Sequence, residues 1–210
     1  MDDDFRARIR AGDEGAFGVL FREHATSVYN YCFRLTGDWA AADDCTSLVF
    51  LEAWRSRAKV DRQGGTLLPW LLGVATRVVH RHRRVAWRNQ RLMRRLPAIQ
   101  LVPDLADEVV GRLDDQDRIA AAMDVVNRLP RADRDVLALC VWGGLDYEGA
   151  AEALGVPVGT VGSRLSRARR RLEKLTEKST GPARATGAGD RQPAPGDRAD
   201  VVLLNGRKKR

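Results

Sequence analysis

Long hydrophobic runs are missing from this 210-residue chain, and histidine, cysteine and aromatic residues are sparse. No apolar run approaches the roughly 20 residues that span a bilayer, so we predict no membrane insertion. The N-terminus, MDDDFRARIR, is charged and therefore unlike a secretory signal. The three cysteines, Cys32, Cys45 and Cys140, are widely spaced and have no accompanying histidine cluster, which argues against structural zinc and disulfides. We expect a reduced cytoplasmic protein without metal or cofactor.

Groupings that carry catalysis are also missing. The sequence shows no pair of carboxylates for acid–base chemistry and no nucleophile–histidine arrangement, and its GGTLLPW segment lacks the lysine of a phosphate-binding loop. It therefore predicts a protein that is not an enzyme. The net charge of +8 and the isoelectric point near 10.0 favour a polyanionic partner.

Strand signals are lacking, because apolar alternation bounded by tight turn dipeptides does not occur. Helical periodicity runs to about Leu175, so the predicted fold class is all-α, with helices over 13–37, 39–57 and from Pro69 onward. We expect two small helical domains, residues 1–95 and 118–175, joined by an acidic linker over 96–117. The basic tail, 176–210, is rich in Gly, Pro and Ala and is expected to be disordered.

The clearest motif is LDYEGAAEALGVPVGTVGSRLSRARRRL, residues 145–172, which predicts a helix-turn-helix. Asp146 can cap a first helix, Gly155 can end it in the left-handed conformation, and Pro157 suits the first turn of a second. Spacings of three and four predict one inward stripe, made of Val158, Val161, Leu165, Ala168 and Leu172. The outward face carries small, hydroxyl and arginine side chains that can bond phosphates and base edges, namely Gly159, Thr160, Ser163, Arg164, Ser166, Arg167, Arg170 and Arg171. An ordinary amphipathic hairpin with a solvated basic face is the alternative.

Acidic residues are absent from 77–95, a segment with eight arginines. Such a run repels itself unless an anion compensates its charge. Trp87, His80 and His82 add flat rings on which unpaired bases can stack. The segment therefore indicates single-strand binding, with a solvated helix face as the alternative.

Three segments in this order resemble the extracytoplasmic-function (group 4) sigma factors of bacterial RNA polymerase. GVPVGTVGSRLSRARRRL, residues 155–172, is similar to the helix-turn-helix of the family's sigma 4 domain. ADDCTSLVFLEAWR, residues 42–55, is similar to region 2.2, and PWLLGVATRVVHRHRR, residues 69–84, to regions 2.3 and 2.4. The likeness covers about residues 5–175.

The resemblance implies an alternative sigma factor, with promoter DNA, core RNA polymerase and an anti-sigma factor as partners. Its sigma 2 domain would grip the β′ clamp helices through Asp43, Asp44, Ser47, Phe50 and Trp54. It would also capture a flipped −10 base with the loop from Asp61 to Leu68 and with Arg77, His80, Arg81 and Arg84. The sigma 4 domain would dock on the β flap and read the −35 duplex through Pro157, Gly159, Thr160, Ser163, Arg164, Ser166, Arg167 and Arg170.

Some residues depart from the family pattern, namely Ser47, Leu48, Arg77 and Gly162.

Two other hypotheses of function stay open at this point. A stand-alone helix-turn-helix regulator would dimerise on a palindromic site and bind it without polymerase. A helical adaptor would bind polymerase without directing promoter-specific transcription.

Overall fold

The computed structural model describes residues 2–93 and 125–179, and every regular element within these ranges is helical. The α-helices are α1 (Asp2–Ala11), α2 (Glu14–Thr36), α3 (Trp39–Ser56), α4 (Leu68–Met93), α5 (Arg131–Leu137), α6 (Tyr147–Leu154) and α7 (Val158–Ser179). A 3₁₀ turn, Arg57–Lys59, follows α3, and a π-helical turn, Ala138–Trp142, follows α5. The predicted all-α class is confirmed. We refer below to residues 2–93 as the N-terminal half and to residues 125–179 as the C-terminal half.

Caps set the helix boundaries of the N-terminal half. The Asp13 carboxylate accepts a hydrogen bond from the Ala16 amide, and Asp38 does the same for Ala41 at the start of α3. Gly37 ends α2 with φ 71°, a left-handed conformation that favours glycine. These bounds agree with those predicted from the sequence. Helix α1 was not predicted, because Arg6, one of its buried positions, is of a residue type normally found at the surface.

The core of the N-terminal half lies between α2, α3 and α4. Leu20, Val49 and Leu71 are among its fully buried side chains. The buried Tyr31 hydroxyl lies 2.9 Å from the Thr76 hydroxyl, so both polar groups of this core pair are satisfied. Burial raises the pKa of Tyr31 above its ordinary value, and the phenol stays protonated.

The helix-turn-helix forms as the sequence predicts, with one correction. Asp146 accepts the Gly149 amide at 2.8 Å, and Gly155 ends α6 with φ 63°. The inward stripe begins at Val161, since Val158 is 44% exposed. Val158 is the first residue of α7 and lies one turn before the helix reaches the core.

The two halves pack against each other and share one contiguous hydrophobic core. At the centre of this contact α6 crosses α4 where Gly73 faces the backbone of Ala153. Beside it, His80 Nε2 of α4 lies 2.8 Å from Asp135 Oδ1 of α5. The close backbone approach and the side-chain bond together fix how the halves sit on one another.

Parts of the predicted organisation fall outside the described residues. These are the acidic linker, 96–117, and residues 180–210 of the tail. Helix α7 continues to Ser179, four residues into the segment that was expected to be disordered. Within residues 2–93 and 125–179, no helix combines the length and the apolarity needed to cross a membrane.

The cap of α6 gives a first prediction. Asp146→Ala removes the acceptor of the Gly149 amide, so we expect the free energy of unfolding to fall by about 1 kcal/mol. Urea unfolding followed by circular dichroism measures the change. Asp146→Ser keeps an acceptor and is the matched control; an equal loss in both variants would contradict the capping role.

Candidate nucleic-acid interface

One face of α4 carries an exposed row of arginines. Arg77, Arg81, Arg84 and Arg88 follow one another at spacings of four, three and four, which place them on one side of the helix. Arg81 lies 3.8 Å from Glu52, an exposed pairing that anions can displace at little cost. Three of the four residues predicted for the −10 contact, Arg77, Arg81 and Arg84, thus lie together on an open basic surface.

His80, the fourth, lies elsewhere. Its side chain is 12% exposed and bonds Asp135 of the C-terminal half at 2.8 Å. In this arrangement the ring belongs to the contact between the halves, so DNA can reach it only if that contact opens. The sequence placed His80 with the arginines because it could not show what lies opposite α4.

The outward face of α7 is mostly open to solvent. Six of the eight residues predicted to contact the −35 duplex are exposed, namely Pro157, Gly159, Ser163, Ser166, Arg167 and Arg170. Thr160 and Arg164 are half-buried, and Arg164 lines a cleft between the halves. A side chain at Gly159 would meet open space, which leaves the backbone accessible to a phosphate.

Two buried aspartates of α5 hold the basic helices, and sequence reasoning assigned neither of them a role. Asp133 is 4% exposed, pairs with Arg171 and lies 3.7 Å from Arg167. Asp135 bonds His80 and lies 3.8 Å from Arg131. In the sequence both resemble acids at a helix N-terminus, where the helix dipole favours negative charge. One carboxylate therefore orients α7 and the other ties α5 to α4.

The cleft between the halves is lined by basic side chains from both sides. Arg77 and His80 come from α4, Arg131 from α5 and Arg164 from α7, around a volume of about 360 Å³. Asp135 contributes the carboxylate, and it is already bonded to His80. Arg77 and Arg164 bring the two predicted DNA surfaces close to each other in this arrangement.

The residues predicted to contact the polymerase differ in their exposure to solvent. Asp43, Asp44 and Ser47 are exposed on α3, and Leu48 beside them is 47% exposed. Phe50 is only 6% exposed, so its ring belongs to the core and supports this surface from beneath.

Trp54 is half-buried at the edge of the same helix. Its ring meets Phe17 edge-on, with the ring centroids 5.1 Å apart, and the Arg57 guanidinium lies 4.4 Å from its centroid. One side of the indole remains in an open groove with Phe17 and Phe21. This groove exposes apolar surface beside α3.

Metal and thiol chemistry find no support in the described part of the chain. Within residues 2–93 and 125–179, no three histidine, cysteine or acidic side chains gather as metal ligands. The cysteines are unpaired, and burial raises the pKa of Cys45 to about 11 and that of Cys32 to about 12. These thiols are therefore protonated near neutral pH and poorly nucleophilic.

Two family models match the chain, and both describe parts of the same family. Residues 20–89 match "Sigma-70 region 2", which includes most of α4 with its arginine row. Residues 119–172 match "Sigma-70, region 4", which includes α6 and most of α7. The two matched regions are thus the two that carry the basic surfaces described above.

Proteins that are similar to this chain in sequence or in structure agree with these family matches. The ECF RNA polymerase sigma factor SigK of Mycobacterium ulcerans is 29% identical, over 84% of this chain and 96% of its own length. SigE of Mycolicibacterium smegmatis is 32% identical, over 80% of this chain and 65% of its own length. Among solved structures, CnrH in complex with the cytosolic domain of CnrY matches 84% of this chain and 97% of its own, with a TM-score of 0.59 and 21% identity. RpoE of Bartonella quintana, solved with the anti-sigma factor NepR, matches 77% and 96%, with a TM-score of 0.54 and 24% identity. The two structures support the fold.

Proposed function

Since the chain belongs to the extracytoplasmic-function sigma factors of the sigma-70 family, which serve transcription initiation, we propose that it recognises a −35 duplex element and a −10 single-stranded element. The observation that carries this proposal is the pair of exposed basic faces, one on α4 and one on α7. Each lies in a different family-matched region. The protein itself performs no catalysis, because RNA synthesis belongs to the polymerase.

The −10 task falls to α4 and to the loop before it. Arg77, Arg81 and Arg84 bind the backbone of the non-template strand, while the loop from Asp61 to Leu68 receives a flipped base. Unstacking a base costs a few kcal/mol, which binding of the exposed base must offset. A row of guanidiniums on a helix that contains no acidic residue of its own supports this role, and the pairing of Arg81 with Glu52 of α3 is exposed.

The −35 task falls to α7. Pro157, Gly159 and Thr160 meet the DNA backbone, while Ser163, Ser166 and Arg167 face base edges in the major groove. Backbone contacts supply most of the salt-sensitive affinity, and base contacts supply the sequence preference. Arg164 and Arg170 add phosphate contacts at the two flanks of this face.

The polymerase holds both domains on one scaffold. We assign β′ clamp binding to Asp43, Asp44 and Ser47 with Trp54 and the underlying Phe50, and β-flap docking to the C-terminal domain. The domain limits are 1–95 and 118–175, with the acidic linker, 96–117, between them. Joining two weak DNA contacts on one scaffold raises their effective concentration and multiplies their effect. An anti-sigma factor is a further proposed partner, supported by the complexes with CnrY and NepR in which the two structural relatives were solved.

The packing of the halves supports dependence on the polymerase. His80 and Arg164 lie in the contact or cleft between the halves, so the free protein offers incomplete DNA surfaces. Binding to core polymerase must separate the halves before both elements can be reached. A ligand shifts such an equilibrium only by its differential affinity for the two arrangements, and the polymerase supplies this difference.

The test compares DNA binding with and without core polymerase. We expect the purified protein to bind core polymerase tightly, to give no footprint on its own at physiological salt, and to protect two upstream elements as a holoenzyme. Binding is measured by competition with a fluorescent housekeeping sigma factor. A palindromic footprint formed by the free protein would instead support the stand-alone regulator.

A further inference from the structure

Arg6 of α1 is a buried cation that bonds only main-chain oxygens. Only 1% of the surface of Arg6 is exposed to solvent. Nε and Nη2 donate to the Gly65 carbonyl at 3.0 and 2.8 Å, Nη1 donates to the Asp61 carbonyl at 3.1 Å, and Nη2 also donates to the Thr66 carbonyl at 3.2 Å. These carbonyls belong to the segment 61–66, which joins the 3₁₀ turn after α3 to α4.

The charge of Arg6 is compensated in an unusual way. Among the ion pairs of the described residues none involves Arg6, although a buried charge normally requires a carboxylate partner. Here the oxygens of three peptide groups supply the direct contacts, and the Glu152 carboxylate of α6 adds an electrostatic attraction at longer range. The planar guanidinium presents several donors in a fixed fork, so one side chain can hold three carbonyls that would otherwise diverge.

The segment 61–66 has little else to order it. All six of its residues are exposed, and the hydrogen bonds within it are short-range, such as that from the Gln63 amide to Asp61 Oδ1 at 3.1 Å. Gly64 adopts φ 133°, which disfavours any other residue, and a Cβ there would lie 3.0 Å from Arg6 Nη2. Arg10, one turn further along α1, donates to the Val60 carbonyl immediately before the segment. Helix α1 therefore holds this loop in one conformation through the side chains of Arg6 and Arg10.

We propose that Arg6 is the positioning residue that sets the conformation of loop 61–66 for base capture. The inference rests on the proposed function, in which this loop receives the flipped −10 base. A loop that is ordered before binding loses less conformational entropy when a base enters it. A fixed loop can also reject the wrong base, because it cannot rearrange to accommodate it. Arg6 acts through the loop and does not itself touch DNA.

Base discrimination shows whether Arg6 positions the loop for base capture or only stabilises the fold. Holoenzyme is assembled with the wild-type protein or a variant, and initiation is measured on a library in which the −10 bases of one of its mapped promoters are randomised. We expect Arg6→Gln to lower the preference for the best base over the worst at the captured position by at least tenfold. Arg6→Lys can reach one carbonyl at a time and is expected to recover only part of that preference.

Two further variants make the test specific. Arg8→Gln changes an exposed arginine of the same helix that pairs with Asp13, and it should leave discrimination unchanged. Gly64→Ala perturbs the loop from the opposite side of the same contact and should reproduce the loss. Amide hydrogen exchange of residues 61–66, in the free protein, is expected to be at least tenfold faster in Arg6→Gln and Gly64→Ala than in the wild type.

The outcomes are separable. If Arg6→Gln speeds exchange in the loop but keeps full base discrimination, Arg6 orders the loop without contributing to base capture and the proposal is wrong. If Arg6→Gln does not fold, Gly64→Ala decides, since retained discrimination in that variant also overturns it. If wild-type holoenzyme initiates without any preference in the −10 region, the proposed function fails and this inference fails with it.

Discussion

Replacement of Gly73 by valine is expected to separate the two halves of the protein. A Cβ at this position would lie 3.1 Å from both the carbonyl carbon and the Cα of Ala153, and closer still to its carbonyl oxygen. These are backbone atoms of α6, so no side-chain rotation can relieve the overlap. Helix α4 itself accepts the change, because valine has a slightly better helix propensity than glycine. The strain therefore falls on the contact between α4 and α6.

Amide exchange measures this separation directly. We expect the amides of residues 149–154 of α6 to exchange at least ~100-fold faster in Gly73→Val. The valine side chain prevents α6 from packing on α4, and this packing protects the amides from exchange. The radius of gyration from small-angle X-ray scattering should rise in parallel. The matched control is Gly18→Val in α2, where a Cβ meets only the flexible tip of Arg22 at 3.5 Å. Unchanged protection of α6 in Gly73→Val would contradict the described contact.

The second large effect concerns the arginines of α7. Arg167→Ala combined with Arg170→Ala removes two exposed cations from the face proposed to read the −35 element. At about 1–3 kcal/mol for each lost contact, we expect promoter-dependent initiation to fall by about 1,000-fold. The dependence of binding on salt should also weaken, with a slope reduced by about 1, because only Arg170 of this pair is assigned to a phosphate.

A control at a third exposed arginine of α7 distinguishes recognition from general electrostatics. Arg169→Ala removes an exposed cation of the same helix whose charge acts on Cys140, on the side of the π-helical turn. We expect it to change initiation by less than tenfold. The double variant should keep its fold, since Arg171 still pairs with the buried Asp133. Equal losses in both proteins would mean that α7 contributes charge without reading sequence.

Local features of this fold could be predicted from the sequence. Asp13, Gly37, Asp146 and Gly155 are residue types whose preferred positions at helix ends follow from backbone geometry alone, and the structure places each of them there. The helix-turn-helix is predictable for the same reason. The prediction that Val158 belongs to the buried stripe is wrong, because periodicity does not show where along a helix the core begins.

Long-range features could not be predicted in this way. Arg6 gains its partners 55 to 60 residues away, and Asp135 meets His80 across the two halves. A single sequence carries no signal for such contacts, and the residue types involved normally indicate a solvated surface. The exposure of Arg81 and Arg84 followed from helical spacing. The burial of Phe50 and the bond between His80 and Asp135 could not be predicted from that spacing, because each depends on the element that packs against it.

Mapping transcription start sites tests whether this chain directs promoter-specific initiation. The purified protein is added to core RNA polymerase on fragmented genomic DNA, and the 5′ ends of the transcripts are compared with those made by core polymerase alone. We expect discrete new start sites that share two upstream elements at a fixed spacing. Transcripts with the same scattered 5′ ends as core polymerase alone, despite tight binding to the core, would contradict this expectation.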